Sequence, residues 1–280
     1  MTMPEPMTAA VVQLTSTEDV AANLDAIRRY TRDAAKAGAE LVALPENAVW
    51  LRVGAEARAP MESLAPGADG PNLAALRAIA REAGVWLVVG SFPERAPDER
   101  RYFNTTIVLS PEGAVTATYR KLHLFDIDVK DGESQRESDN IAPGSEVVAT
   151  DVRGVRTGLS ICYDLRFPLL YQRLVDDGAR IITVPAAFTE FTGKDHWLVL
   201  LRARAIETQT FVIAPGQSGF HGGKRRTFGK STIIDPWGIP LCIAADGPGF
   251  ALARLDFAAQ DRIRGSLPCL MHRHPGLTRS

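Results

Sequence analysis

The chain has 280 residues, with 32 lysines and arginines against 33 aspartates and glutamates and a formal net charge of −1 at pH 7, so it lacks the basic excess that drives binding to nucleic acid or an anionic membrane. Its length suffices for a substantial core, no apolar run is long enough to span a bilayer, and Met1 to Met7 lacks the basic start and hydrophobic segment of a secretory signal. Cys162, Cys242 and Cys269 form an odd, widely spaced set, which predicts reduced thiols in a cytoplasmic protein rather than a disulfide framework.

In chain order, Met7 to Leu14 predicts a buried strand. Asp19 to Ala37 predicts an amphipathic helix with Leu24, Ile27 and Ala34 inward, stopped by Gly38. Leu41 to Leu44 is the next strand, and Asn72 to Ala83 has helical spacing up to Gly84. Val85 to Gly90 and Asn104 to Leu109 predict strands joined past a short charged loop at Arg95 to Arg101, and Pro111-Glu112-Gly113 turns the chain into Ala114 to Lys121. A long loop follows. Val155 to Cys162, Arg180 to Pro185, Thr210 to Pro215, Ser231 to Asp235 and Gly249 to Leu255 then alternate with helical Pro168 to Asp177, His196 to Thr208 and Phe257 to Ser266. No linker divides the chain, so one domain is expected over residues 7–280 after a flexible N-terminal segment, residues 1–6. So many strands with interleaved helices suggest an α/β protein with two helix-covered sheets, although the pattern alone also fits a single doubly wound sheet.

Three of these strands end on an ionisable residue, and the carboxyl ends of strands are where α/β sheets gather catalytic groups. Leu41 to Pro45 leads into Glu46, Ala117 to Arg120 leads into Lys121, and Gly158 to Ile161 leads into Cys162, where a helical stretch begins. A thiol at a strand-to-helix turn has backbone N–H groups beside it that favour the thiolate and can hold an oxyanion. A lone cysteine is more often an inert core residue, but cysteine, lysine and glutamate together suffice to cleave an amide or nitrile. Glu46 serves as general base and then acid, and Lys121 with the Tyr163 N–H stabilises the oxyanion.

Leu44-Pro45-Glu46-Asn47, Tyr119-Arg120-Lys121-Leu122-His123-Leu124-Phe125-Asp126 and Ile161-Cys162-Tyr163-Asp164-Leu165-Arg166-Phe167-Pro168 resemble the nitrilase, or carbon–nitrogen hydrolase, superfamily, nearly end to end and with its catalytic order Glu, Lys, Cys. The resemblance implies a four-layer αββα sandwich with two mixed sheets, a Cys-bound thioester and no cofactor or metal. It extends to Glu137-Ser138-Asp139-Asn140-Ile141-Ala142-Pro143-Gly144, which implies that Glu137 is a second active-site glutamate orienting Lys121; read from the residues alone, a glutamate in that polar stretch is simply solvated. Within the superfamily the Cys162 segment is similar to the Nit branch, as are Ala187-Phe188-Thr189 and Ser231-Thr232-Ile233-Ile234-Asp235-Pro236-Trp237-Gly238. Two activities of that branch compete: deaminated glutathione amidase, which Arg202-Ala203-Arg204-Ala205-Ile206-Glu207-Thr208-Gln209 is closer to, and omega-amidase. Either way the resemblance implies cleavage of a terminal carboxamide on a small acidic metabolite with release of ammonia, by a homodimer or higher homo-oligomer. Leu169 and Lys230 depart from the branch pattern, which has glutamate and histidine at those places.

Arg166, one helical turn beyond Cys162, is where a guanidinium could hold a substrate carboxylate, with pairing to Asp164 or another internal acid as an equal alternative. Phe188 and Thr189 follow the next strand and line the same region, with core packing the alternative for Phe188. The five histidines have no helical metal-ligand spacing. Gly216 to Gly223 is expected to be a flexible loop at the pocket or interface and Lys224-Arg225-Arg226 a solvated basic patch. A non-catalytic interaction module and a papain-like Cys/His hydrolase remain as other readings, the latter needing His123 or His196 beside Cys162.

Overall fold

The computed structural model describes residues 4–97, 100–127 and 135–274. Strand β1 (Met7–Gln13) leads through Asp19, whose carboxylate accepts the Ala22 N–H, into α1 (Val20–Lys36); such a cap satisfies a donor that the first helical turn leaves open. Then come β2 (Leu41–Ala43), α2 (Pro71–Ala83, begun by a proline and ended by left-handed Gly84), β3 (Trp86–Arg95), β4 (Tyr102–Leu109) and β5 (Val115–Arg120). The expected long loop contains four short strands, β6 (Asp126–Ile127), β7 (Gln135–Arg136), β8 (Ile141–Ala142) and β9 (Ala149–Val152). Two-residue strands carry too little alternation to be seen as a period.

The second half repeats the scheme with β10 (Val155–Leu159), α3 (Pro168–Asp176), β11 (Ile181–Thr183), α4 (Glu190–Thr208) and β12 (Phe211–Ala214). Helix α4 starts six residues before the expected His196, because Thr189 caps it and Gly193, a poor helix former, lets it lie against Phe228; a Cβ on Gly193 would come within 2.3 Å of the Phe228 Cβ. The expected flexible loop at Gly216 to Gly223 is instead largely a hairpin arm, β13 (Ser218–Gly222) paired with β14 (Arg225–Phe228). Strands β15 (Thr232–Ile234), β16 (Pro240–Ile243) and β17 (Gly249–Leu255) and helix α5 (Phe257–Ser266) complete the chain.

One sheet has the order β17-β1-β2-β3-β4-β5, with β8 added beside β4, and the other β16-β15-β12-β11-β10-β9. In each, three central strands run parallel and are linked by helices, as in Ala9↔Leu41↔Trp86 and Thr157↔Ile181↔Phe211. Strand alternation sorts the core. Ala10 and Val12 of β1 pack with Ile27 and Ala34 of α1 and with Leu73, Leu76 and Ile79 of α2. Ala9 and Val11 face the other way, into a cluster with β10 to β12 and with Leu174, Trp197 and Leu201 of α3 and α4. The layers are therefore helices, sheet, sheet, helices, and the carboxyl ends of β2, β5 and β10 converge at one end of the sandwich.

Candidate active site

Glu46 is delivered by β2. The strand's path continues past Ala43 through the Leu44 N–H, which bonds the Val88 carbonyl at 2.8 Å, and then Pro45 and left-handed Asn47 (φ 56°) turn the chain. Gly90 permits the approach of the two sheets here: a Cβ on it would lie 2.0 Å from the Leu44 carbonyl oxygen and 2.4 Å from the Pro185 Cβ, so any side chain would push the ends of β2 and β11 apart. Through that gap the Ala187 N–H, just past β11, donates to Glu46 Oε2 at 2.9 Å.

Cys162 ends the path of β10. Its N–H donates to the Pro185 carbonyl at 2.8 Å, and its φ of 49° bends the chain into a five-residue 3-10 turn, Cys162–Arg166. The left-handed conformation costs a non-glycine residue about 1 kcal/mol or more and has to be held by its surroundings. Asp164 does much of the holding. Its buried carboxylate accepts the Ile161 N–H at 2.9 Å, the Tyr119 hydroxyl at 2.6 Å and the His123 N–H at 3.0 Å, and lies 2.7 Å from His123 Nδ1. The nucleophile's turn is thereby tied to the end of β5, which carries Lys121.

Lys121 is fully buried. Its ammonium donates to Glu46 Oε1 at 2.8 Å and to both oxygens of Glu137 at 3.0 and 2.8 Å. Glu137 sits on a 3-10 turn, Glu137–Asp139, between β7 and β8, 18% exposed at its side chain, and also accepts the Phe125 N–H at 2.8 Å. It is not a solvated residue of the polar stretch. Asn104 Nδ2 completes the shell of Glu46 at 3.0 Å.

The charges follow from these contacts. Burial alone would raise the Glu46 carboxyl, but Lys121 and the hydrogen bonds outweigh it and hold the group below the usual carboxylate range. Burial alone would lower Lys121, and the Glu137 and Glu46 carboxylates reverse this to well above the usual lysine value. Burial raises Glu137. The Cys162 thiol is pushed well above an ordinary cysteine by burial and then by the Glu46 charge, Lys121 only partly offsetting them. This corrects the expectation of a favoured thiolate: the turn after Cys162 is a short 3-10 segment rather than an α-helix start, and two carboxylates share the chamber. The resting pair is a neutral thiol hydrogen-bonded to an ionised Glu46, which is the arrangement a general base requires.

A chamber of about 20 Å³, room for a water molecule, is bordered by Glu46, Cys162, Tyr163, Arg166, Phe188 and Thr189. Arg166 does not pair with Asp164. Its guanidinium nitrogens lie 3.3 and 3.4 Å from His196 Nδ1, and it stacks over Phe188 with its carbon 5.3 Å from the ring centre. His123 is committed to Asp164 and stacks on Phe167 at 3.7 Å, so neither histidine takes the place a papain-like site would need. Leu169 is 70% exposed on α3, Lys230 pairs with Asp246 at 2.6 Å, and neither borders the chamber. Among the described residues no group of three or more His, Cys, Asp or Glu could hold a metal ion.

Four residues were not picked out from the sequence. Asn104 had a visible signal, a carboxamide heading the β-rich run Asn104 to Leu109. Asp164 was weighed only as a partner for Arg166, and Gln217, which donates to the Glu46 carbonyl at 3.0 Å, lay in a supposed loop. Arg225, taken with its neighbours as solvated, borders the chamber.

Residues 8–264 match the model of the carbon-nitrogen hydrolase family. Deaminated glutathione amidase from Bos taurus is 41% identical over 274 residues, 96% of this chain and 82% of the relative. The protein of that name from Synechocystis sp. is 40% identical over 96% of this chain and 98% of its own. The crystal structure of the C. elegans NitFhit protein superposes with a TM-score of 0.90 at 33% identity, covering 99% of this chain and 67% of that one.

Proposed function

Because the chain belongs to the carbon–nitrogen hydrolase family and is an amidase, we propose that it hydrolyses deaminated glutathione through a thioester on Cys162, with Glu46 as the acid–base group, Lys121 and the Tyr163 N–H as the oxyanion donors and Glu137 as the residue that positions Lys121. The observation that carries this reading is the set of partners around Glu46. One carboxylate meets the thiol, the Lys121 ammonium, the Asn104 amide and the Ala187 N–H, so it is ionised and fixed in place beside the proton it is to take.

The steps follow. Glu46 takes the thiol proton as the sulfur bonds to the amide carbon, and the oxyanion forms against Lys121, whose charge is maintained by two carboxylates. Glu46 returns the proton to the amide nitrogen as the carbon–nitrogen bond breaks. A water then loses a proton to Glu46 and attacks the thioester; the Cys162 sulfur leaves and recovers that proton. Glutathione contains two secondary amides and no primary carboxamide, so the group released is an amine, cysteinylglycine if the γ-amide is cut, in place of the ammonia expected from a terminal carboxamide. The acyl half keeps its α-carboxylate, and Arg166, held over Phe188 at the chamber wall, is the residue to receive it. Phe188 and Thr189 wall the acyl chain.

The reading includes a single catalytic domain over residues 7–280, of which 98–99, 128–134 and 275–280 lie outside the described residues, as do residues 1–3 of the N-terminal segment. It also includes self-association and a cytoplasmic setting. Leu169, Phe191 and Val199, exposed on α3 and α4, support the first. The free Cys162, Cys242 and Cys269 support the second, and no helix among the described residues is long and apolar enough to cross a membrane.

The test is product analysis with deaminated glutathione and, separately, alpha-ketoglutaramate. Cysteinylglycine release from the first, at a higher kcat/KM than ammonia release from the second and lost in Cys162→Ala, is the expected result. Preference for alpha-ketoglutaramate would move the enzyme to omega-amidase, and Cys162-independent turnover would overturn the mechanism.

A further inference from the structure

Outside the chamber lies a second cavity of about 320 Å³, and Glu137, Gln135 and Arg225 border both, so the two adjoin across a shared wall. Its wall is cationic. Arg52, Arg136, Lys224 and Arg225 line it, and the one carboxylate on its described lining is Glu137, which is already engaged by Lys121. Tyr102 and Asn140 add uncharged hydrogen-bonding groups.

Three of these cations, Arg52, Lys224 and Arg225, do not hold the fold by ion pairs among the described residues. Arg225 uses Nη1 on the Arg52 carbonyl at 3.1 Å, and Arg52 in turn donates to the Gly54 and Ala55 carbonyls, so both guanidiniums are positioned by neutral acceptors. Lys224 is exposed at the tip between β13 and β14. Among the described residues no carboxylate pairs with Arg52, Lys224 or Arg225. Like charges gathered in a concave wall repel one another and raise the local concentration of anions, and an arginine held by its backbone contacts presents its remaining N–H groups in the fork that fits a carboxylate.

We infer that this cleft is the leaving-group subsite, and that Arg52, Lys224 and Arg225 bind a carboxylate carried by the amine fragment the enzyme releases. The inference rests on the acyl-transfer reading for its direction: the acyl half sits in the chamber at Cys162, and the amine half extends past Arg225 into the outer cleft. Two extended residues reach about 7 Å, the scale of a passage from a shared wall into the adjoining cavity. The cleft thus selects an acidic dipeptide-sized amine over ammonia, a role separate from that of Arg166, which faces the acyl side.

The experiment measures binding to the Cys162→Ala protein, which cannot consume its ligand, using deaminated glutathione and the same molecule with its terminal carboxylate converted to a carboxamide. The expected result is a preference for the acid of about tenfold, the scale of one charge-assisted contact, reduced to near unity in Lys224→Glu and in Arg225→Gln, with thermal melts verifying that both variants are folded. Absence of the preference in the parent, or its survival in both variants, would overturn the subsite. Turnover of deaminated glutathione by the Cys162 enzyme is measured in parallel. Turnover without the preference sinks the cleft and leaves the amidase reading standing, whereas the preference without turnover upholds the cleft and sinks the choice of substrate.

Discussion

The chamber and the cleft share a wall and differ in how their charges are kept. In the chamber Lys121 is fully buried and faces two carboxylates, and Glu46 is 2% exposed with each oxygen bonded. In the cleft Arg52, Lys224 and Arg225 form no ion pair with a carboxylate among the described residues, and Lys224 is exposed. Desolvated charges survive only in a closed network, which makes the chamber rigid and intolerant of change. Solvated charges need no partner, so the cleft is free to vary with the fragment it receives. Chemistry is placed where burial fixes geometry, and selection where water still competes.

The largest effects should come from breaking the chamber's chemistry without its packing. Cys162→Ala and Glu46→Gln should each lower turnover by about 10⁴-fold or more, because groups acting as a unit fail together, while near-UV circular dichroism remains that of the parent. Lys121→Met should abolish turnover as well, and it should also destabilise the fold by about 3–5 kcal/mol in urea unfolding, since Glu46 and Glu137 would be left buried without their cation. Asp164→Asn should cost about 1–3 kcal/mol through the contacts it loses at Tyr119 and His123, together with a fall in kcat as the Cys162 turn loosens. If Asp164→Asn left kcat at the parental value, the turn would not depend on that carboxylate.

A gentler probe is the pH dependence of alkylation. Because burial and Glu46 raise the Cys162 thiol, its deprotonated form grows only at alkaline pH, so the iodoacetamide rate should keep climbing from about pH 7 to about pH 9 without a plateau. A plateau near neutrality would mean a preformed thiolate and would restore the reading that the structure corrects. The smallest effect is expected in the cleft: Lys224→Glu should alter stability by no more than about 0.5 kcal/mol, against several for Lys121→Met. Equal losses at the two lysines would erase the distinction between chamber and cleft.

The same contrast explains what was legible in the amino-acid sequence. Glu46, Lys121 and Cys162 could be found because each ends an apolar run, and buried strands advertise themselves by composition. The parallel strands, α1 to α3 and α5 were legible for the same reason, within a residue or two for the helices. Glu137 was legible only through family resemblance, because its neighbours are polar and what buries it is the lysine from another strand. Arg225 was missed because β13 and β14 are short and β13 is glycine-rich, and nothing local says that a basic tip will fold back beside a thiol. Asp164 was visible as a residue, but not as a tie between β5 and the nucleophile's turn, since its partners Tyr119 and His123 lie more than forty positions away. Pairings of that range leave no periodic trace.

The most direct measurement is the covalent state of Cys162 during turnover. The enzyme is mixed with deaminated glutathione, quenched in acid within the first turnover and digested for mass spectrometry. The account predicts the acyl fragment as a thioester on the peptide containing Cys162, appearing with the first equivalent of cysteinylglycine and absent from Cys162→Ala. Release of cysteinylglycine with an unmodified Cys162 at every quench time, continuing in Cys162→Ala, would contradict it.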